Sequence, residues 1–143
     1  MNSEATAEGL RATFDDWAGA LNKGELERFY GYFEEDSETL DEDYPWRMTK
    51  AEFVDHIGFH ATGGGKGMWE FFEWIPREVN VKTWGPTGHV SGFSTFRGKP
   101  RDAGFRQRFM GFTITWHHNG TGWRLVCWHQ SVLAGRIDGA SPS

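Results

Sequence analysis

The chain holds a single cysteine, Cys127, among its 143 residues. One thiol excludes an intramolecular disulfide framework and fits a reducing, cytoplasmic setting. Positive charge is also short, with 15 Lys and Arg against 20 Asp and Glu and a formal net charge of −5. That balance leaves no electrostatic footprint for nucleic acid or for an anionic membrane. No apolar run approaches the ~20 residues of a membrane span, and the start of the chain lacks the basic-then-apolar pattern of a signal peptide. Internal repeats are missing, and so is any linker long enough to separate a pair of domains. Residues 1–143 therefore read as one domain, with a core of about 8–135 and a small polar tail at 136–143.

Aromatic side chains are abundant: 12 Phe, 8 Trp and 3 Tyr. Mean hydropathy is nevertheless negative, at −0.61. The apolar material is thus concentrated in large flat rings, which either build the core or line a pocket.

Leu10, Phe14, Trp17, Ala18 and Leu21 recur at three and four residues, one apolar stripe of a helix that Asn22-Lys23-Gly24 ends. Leu26, Phe29, Tyr30 and Phe33 mark a shorter second helix. Seven of the ten residues at 34–43 are acids, which predicts an exposed extended segment. Thr49 with Glu52 three residues on is a capping box, opening a third helix to about Ala61 with Phe53, Val54 and Ile57 on its inner face. Past the glycine-rich residues 63–67 the period changes to two, and 69–84, 89–97, 105–117 and 123–133 read as long antiparallel strands. The last turn carries an Asn119-Gly120 signal. Helices packed on one face of a curved sheet make an α+β fold.

Strict alternation sorts the strand residues by face. Met110, Phe112, Ile114 and Trp116 share one face of the penultimate strand, with Phe105 and Phe109 on the other. On the last strand Trp123, Leu125, Cys127, His129 and Ser131 fall together, opposite Trp128. Both sheet faces carry bulky apolar groups, which predicts a homodimer through the outer face bearing Trp128.

Three stretches resemble the nuclear transport factor 2-like superfamily, in particular its SnoaL-like and ketosteroid isomerase-like branches. They are Trp17-Ala18-Gly19-Ala20-Leu21-Asn22-Lys23-Gly24-Glu25-Leu26-Glu27, Tyr32-Phe33-Glu34-Glu35-Asp36, and Asn119-Gly120-Thr121-Gly122-Trp123-Arg124-Leu125-Val126 followed by His129-Gln130-Ser131. The resemblance implies a cystatin-like cone, a bent antiparallel sheet wrapped around the helices with a cavity at its wide end. Isomerases, dehydratases, cyclases and epoxide hydrolases use this fold, as do binding and assembly domains. It therefore licenses a pocket and not a reaction.

Asp41 falls where ketosteroid isomerase-like members place their general base, and Asp43 shares its parity on a strand. A partly buried carboxylate suits proton abstraction next to a carbonyl, whereas an acidic run by itself is a solvated face. The resemblance sets Trp17 where the family has an oxyanion-stabilising Tyr, and Ile114 near its partner acid. Without that donor pair, steroid isomerisation is disfavoured. His129 is the second catalytic candidate, as an acid, a base or a donor to ligand, against a structural role satisfied by Ser131. The same resemblance makes Trp17, Tyr30, Phe33, Trp46, Phe53, Ile57, His60, Met110, Phe112, Ile114 and Cys127 the substrate-binding candidates. His56 and His60 stand four apart, a spacing that can grip a metal. No Glu follows His56 and no Cys pair supports a site, so neither metal nor cofactor is expected. The basic residues between Arg97 and Arg108 either pair with acids across a hairpin or frame an acidic ligand.

The reading that follows is a cofactor-independent isomerase, cyclase or dehydratase. It would move protons on a small cyclic or carbonyl compound with Asp41 and His129. The alternative is a non-catalytic ligand-binding or dimerisation domain of the same fold.

Overall fold

The computed structural model describes residues 2–61 and 69–133, and of residues 58–61 only the backbone. The His60 side chain, the glycine-rich residues 63–67 and the tail at 136–143 lie outside the described residues.

Helix α1 (Ala7–Lys23) begins where the Thr6 hydroxyl accepts the Gly9 N–H at 3.0 Å. It ends at Gly24, whose φ of 76° is the left-handed conformation that glycine adopts without strain. The predicted stripe is the buried one: Leu10, Phe14, Trp17, Ala18 and Leu21 all face inward. A one-turn helix, α2 (Leu26–Tyr30), leads into strand β1 (Phe33–Leu40) and the short β2 (Met48–Thr49). Helix α3 (Lys50–Ala61) opens with the predicted capping box, in which the Thr49 N–H donates to Glu52 Oε1 at 2.9 Å and the Glu52 N–H donates to Thr49 Oγ1 at 3.2 Å.

Four long strands follow: β3 (Trp69–Trp84), β4 (Thr87–Pro100), β5 (Arg106–His118) and β6 (Trp123–Val132). The sheet order is β2-β1-β6-β5-β4-β3, six strands curved but unclosed. One junction departs from the antiparallel plan, because β1 runs parallel to β6. After the first two helices, β1 joins the sheet between the short β2 and the final strand. The acidic run is also more than a solvated face. Glu34, Glu35 and Glu38 are ion-paired with Arg124, Lys50 and Arg47 at 3.3, 2.8 and 3.3 Å.

Curvature comes from irregularities in the ladder. Between Arg77 and Asn80 the register against β4 slips, and Glu78 takes a φ of 51°. Gly92 lies opposite this bulge. A Cβ there would sit 2.9 Å from the Arg77 carbonyl oxygen and 3.2 Å from the Phe112 ring. Gly92→Val is therefore expected to lose about 1–3 kcal/mol by overpacking. Urea denaturation of variant and parent measures it, and an unchanged midpoint would show that the bulge tolerates a side chain.

A second irregularity corrects the sequence reading. Thr115 pairs with Cys127 but Trp116 pairs with Leu125, which leaves Val126 as an extra residue on β6. The bulge reverses parity beyond it. Trp123 and Leu125 face inward as predicted, but so do Trp128 and Gln130, while Cys127, His129 and Ser131 turn outward. Trp128 is only 3 % exposed. It packs against Trp17, Phe29, Phe53 and Trp74 and does not belong to an outer dimer face.

Trp17 sits at the centre of the core. Its ring lies 4.9–6.0 Å, centroid to centroid, from Phe14, Phe29, Trp74, Trp116 and Trp128. Most of the aromatic surplus thus fills the cone around α1.

Candidate functional site

The cone is not filled to its end. Beyond the α1–α2 turn, where Leu21, Gly24 and Leu26 form one wall, a cavity of about 120 Å³ remains. Its apolar lining comes from Ile57 on α3, Trp69, Phe72 and Trp74 on β3, and Phe96, Met110 and Trp128 from the next three strands. Asp41, His56 and Gln130 supply polar groups, and Glu42, Asp43, Arg106 and Arg108 complete the lining. Such a hollow, mostly apolar with a few convergent polar groups, is the usual form of a small-ligand site.

Asp41 follows directly on the end of β1, and its side chain is 10 % exposed. Two N–H groups hold one of its oxygens: Gln130 Nε2 donates to Oδ1 at 2.7 Å and the Glu42 backbone at 2.8 Å. Gln130 is oriented in turn, since its Oε1 accepts the Trp74 indole N–H at 3.2 Å. Asn22 pins the Trp74 backbone from α1. It donates to the carbonyl at 2.8 Å and accepts the N–H at 2.7 Å. A chain of donors from the end of the first helix therefore sets which oxygen of Asp41 stays available.

That oxygen, Oδ2, lies 3.8 Å from His56 Nε2, and the same nitrogen is 3.2 Å from Asp43 Oδ1. His56 is 16 % exposed and its ring lies 5.4 Å from that of Tyr44. Burial holds the Asp41 carboxyl above the ordinary aspartate range, and the Asp43 charge adds to this. The Gln130 and Glu42 donors and His56 work in the opposite direction without cancelling it. Glu42 is raised as well, first by burial and then by Asp43, against the pull of Arg108. Asp41, Asp43 and His56 also form a group whose ligand atoms lie within 4.8 Å of one another, close enough to share one cation. In the geometry observed, His56 is already hydrogen-bonded to Asp43 and Asp41 to Gln130.

Of the residues proposed from the sequence, Asp41, Ile57 and Met110 meet in this cavity. Trp17, Phe33, Phe53, Phe112 and Ile114 do not line it. They are buried core, with Phe112 stacked on Phe14 at 5.8 Å. Tyr30 lies among Phe29, Phe33 and Phe53, and burial without a hydroxyl partner pushes its pKa up to about 12. Trp46 is 70 % exposed, on the segment between β1 and β2. Cys127 faces outward, its thiol raised by burial and by the Glu38 charge. His129 is exposed, 2.9 Å from Ser131 Oγ and on the wrong side of the sheet for the cavity. The bulge at Val126 accounts for both corrections on β6. Gln130 and Trp74 are the polar groups that the sequence did not single out, and His56, weighed there only for a metal with His60, stands beside Asp41 instead. His56 carried a signal, three residues from Phe53 and at the edge of the α3 stripe, whereas Gln130 carried none.

The comparisons with known proteins agree with this architecture. A candidate dehydratase of the NTF2-like family from Streptomyces avermitilis superposes with a TM-score of 0.77 at 13% identity, over 90% of this chain and 96% of that one. A candidate scytalone dehydratase from Novosphingobium aromaticivorans gives 0.75 at 9%, over 90% and 87%. A candidate calcium/calmodulin dependent protein kinase II association domain from Xanthomonas campestris gives 0.75 at 15%, over 93% and 91%. At such identities the likeness is one of fold. No curated protein matches the sequence. The family model described as a SnoaL-like domain matches residues 10–135. With nearly the whole chain covered, the protein belongs to the SnoaL-like domain family, and its curved sheet has the fold of proteins described as NTF2-like or cystatin-like.

Proposed function

We propose that this protein is a cofactor-independent proton-transfer enzyme, an isomerase, cyclase or dehydratase acting on a small cyclic or carbonyl compound. The observation that carries the reading is Asp41: a nine-tenths buried carboxylate in an apolar cavity, tied down at Oδ1 and open at Oδ2 toward His56. A base held above the ordinary aspartate range takes a proton more readily at working pH. In an elimination, Oδ2 accepts the proton α to a carbonyl, the C–H electrons become the new C=C bond, and the β-hydroxyl leaves as water with a proton from His56. In an isomerisation the proton returns at another carbon. Trp17 and Ile114 lie in the core, so a paired oxyanion site of the steroid-isomerase kind has no support here.

The test is proton exchange. The protein is incubated in D2O with a panel of cyclic ketones and β-hydroxy ketones, with a chelator present, and followed by NMR. Exchange or elimination above the buffer rate is the expected result. Binding of panel members without either reaction would favour the non-catalytic ligand-binding reading.

The setting we propose is cytoplasmic, and among the described residues no helix is long and apolar enough to cross a membrane. We also propose a homodimer through the outer sheet face, now defined by exposed Ile75, Phe93, Phe109 and Leu133. Light scattering after gel filtration should give twice the chain mass, and Phe109→Glu should return it to the monomer. A monomeric parent would end that proposal.

A further inference from the structure

The inner face of β5 changes character along its length. Met110, Phe112, Ile114 and Trp116 all point inward and are buried. The same alternation, followed back toward the start of the strand, brings Arg108 and Arg106 onto this face, and both line the cavity. Arg108 is half-buried there and Arg106 is exposed, so both guanidinium groups are within reach of an anionic ligand that enters the cavity.

The basic residues nearby are largely committed. Arg97 Nη1 donates to Glu73 at 2.9 Å, Lys99 Nζ to Glu70 at 2.6 Å, and Arg108 Nε to Glu42 at 3.1 Å. Arg106 is paired with no carboxylate among the described residues. Its guanidinium carbon instead lies 6.0 Å from the Trp69 ring centroid. Trp69 packs against Phe72 and Phe96, with centroids 5.4–5.6 Å apart across the three rings. Gly98, the cross-strand partner of Arg106, makes room for them, because a Cβ there would come within 2.8 Å of both the Trp69 and the Phe96 rings. Arg106 is therefore a solvent-exposed cation with no carboxylate partner among the described residues, set beside an aromatic wall. The same cavity is lined elsewhere by Asp41, Glu42 and Asp43.

We propose that the ligand of this cavity is an apolar ring compound bearing a carboxylate, and that Arg106 binds the carboxylate while the ring lies against Trp69, Phe72 and Phe96. The inference deepens the proton-transfer reading and rests on it. A guanidinium presents two parallel N–H donors to a carboxylate, and the neighbouring indole favours the cation. The acids at 41–43 repel a second anion. They therefore impose one polarity of binding, with the charged end on Arg106 and the neutral, reacting end toward Asp41. Arg108 is the weaker candidate for that contact because Glu42 already engages it.

Calorimetry with an isosteric pair tests this: 2-naphthoate against the neutral 2-naphthamide, on the parent protein, Arg106→Gln and Arg11→Gln. Arg11 is an exposed α1 residue paired with Asp15, and serves as the control for net charge. In the parent, naphthoate is expected to bind at least about tenfold tighter than naphthamide. Arg106→Gln should shrink that preference to within about twofold with naphthamide affinity unchanged, which also shows that the variant is folded. Arg11→Gln should keep the preference. Equal affinities in the parent, or a preference that survives in Arg106→Gln, would overturn the carboxylate assignment. Naphthamide binding without a preference would leave the cavity reading standing, whereas failure of both probes to bind would remove the two together.

Discussion

Asp41→Asn is expected to lower the rate of ligand proton exchange by about a hundredfold or more, while making the protein more stable at neutral pH. The loss is on the scale that a positioned general base contributes. The gain follows from the direction of the shift. Burial raises the Asp41 carboxyl above its ordinary value of 3.8 in the folded chain. Such a group favours folding below its unfolded pKa, and that contribution is lost as pH rises through the folded value. Above that window the native state holds a buried charge at a cost. Asparagine is nearly isosteric and its oxygen still accepts from Gln130, so the substitution removes the charge without opening a hole. A stabilisation of about 1 kcal/mol is the usual scale for relieving such a site. The advantage should grow as pH rises from about 4 and level off once the parent's Asp41 is ionised. Urea denaturation of both proteins at several pH values measures it. Parallel stability curves across that range would mean that Asp41 is not strained, and exchange persisting in Asp41→Asn would remove it as the base.

Trp17→Ala should cost about 3–5 kcal/mol, enough to leave a domain of this size largely unfolded at 37 °C. The ring touches five other aromatic rings from α1, α2, β3, β5 and β6, and a methyl group in its place would leave a void bordered by side chains from every layer. Trp17→Phe should cost much less. The indole Nε1 is buried without a partner, so losing it breaks no hydrogen bond. Trp46→Ala is the contrasting case, an exposed ring whose removal should change stability by no more than about 0.5 kcal/mol. Chemical denaturation of the three variants separates these expectations. A loss under about 1 kcal/mol for Trp17→Ala would show that the cone is not held by its ring cluster.

Trp17 and Trp46 look alike in the sequence as large rings near proposed pocket positions. Helical spacing placed Trp17 on an inner stripe, and that stripe is the buried face of α1. It could not say whether the inner stripe meets a cavity or other rings. The answer depends on how strands more than fifty residues away bring Trp74, Trp116 and Trp128 around it. Trp46 had no periodic context at all, so nothing local distinguished a lining residue from an exposed one. Asp41 was legible because it sits at the end of a strand in a stretch whose order resembles a known family.

By itself the sequence determined the elements, since a 3.6-residue stripe, a capping box and two-residue alternation are local consequences of backbone geometry. The α+β plan and the absence of a disulfide framework came from the same local information, whereas the acid at position 41 was marked out by the family resemblance. Tertiary structure decided which face each strand residue serves and which partner Asp41 has. One unpaired residue, Val126, turns His129 out and Trp128 and Gln130 in, because parity in a strand survives only while the ladder is regular. A bulge is a property of two strands pairing and cannot be read from one. The imidazole beside Asp41 is therefore not that of His129 on the neighbouring strand but that of His56 on α3, brought there by tertiary packing.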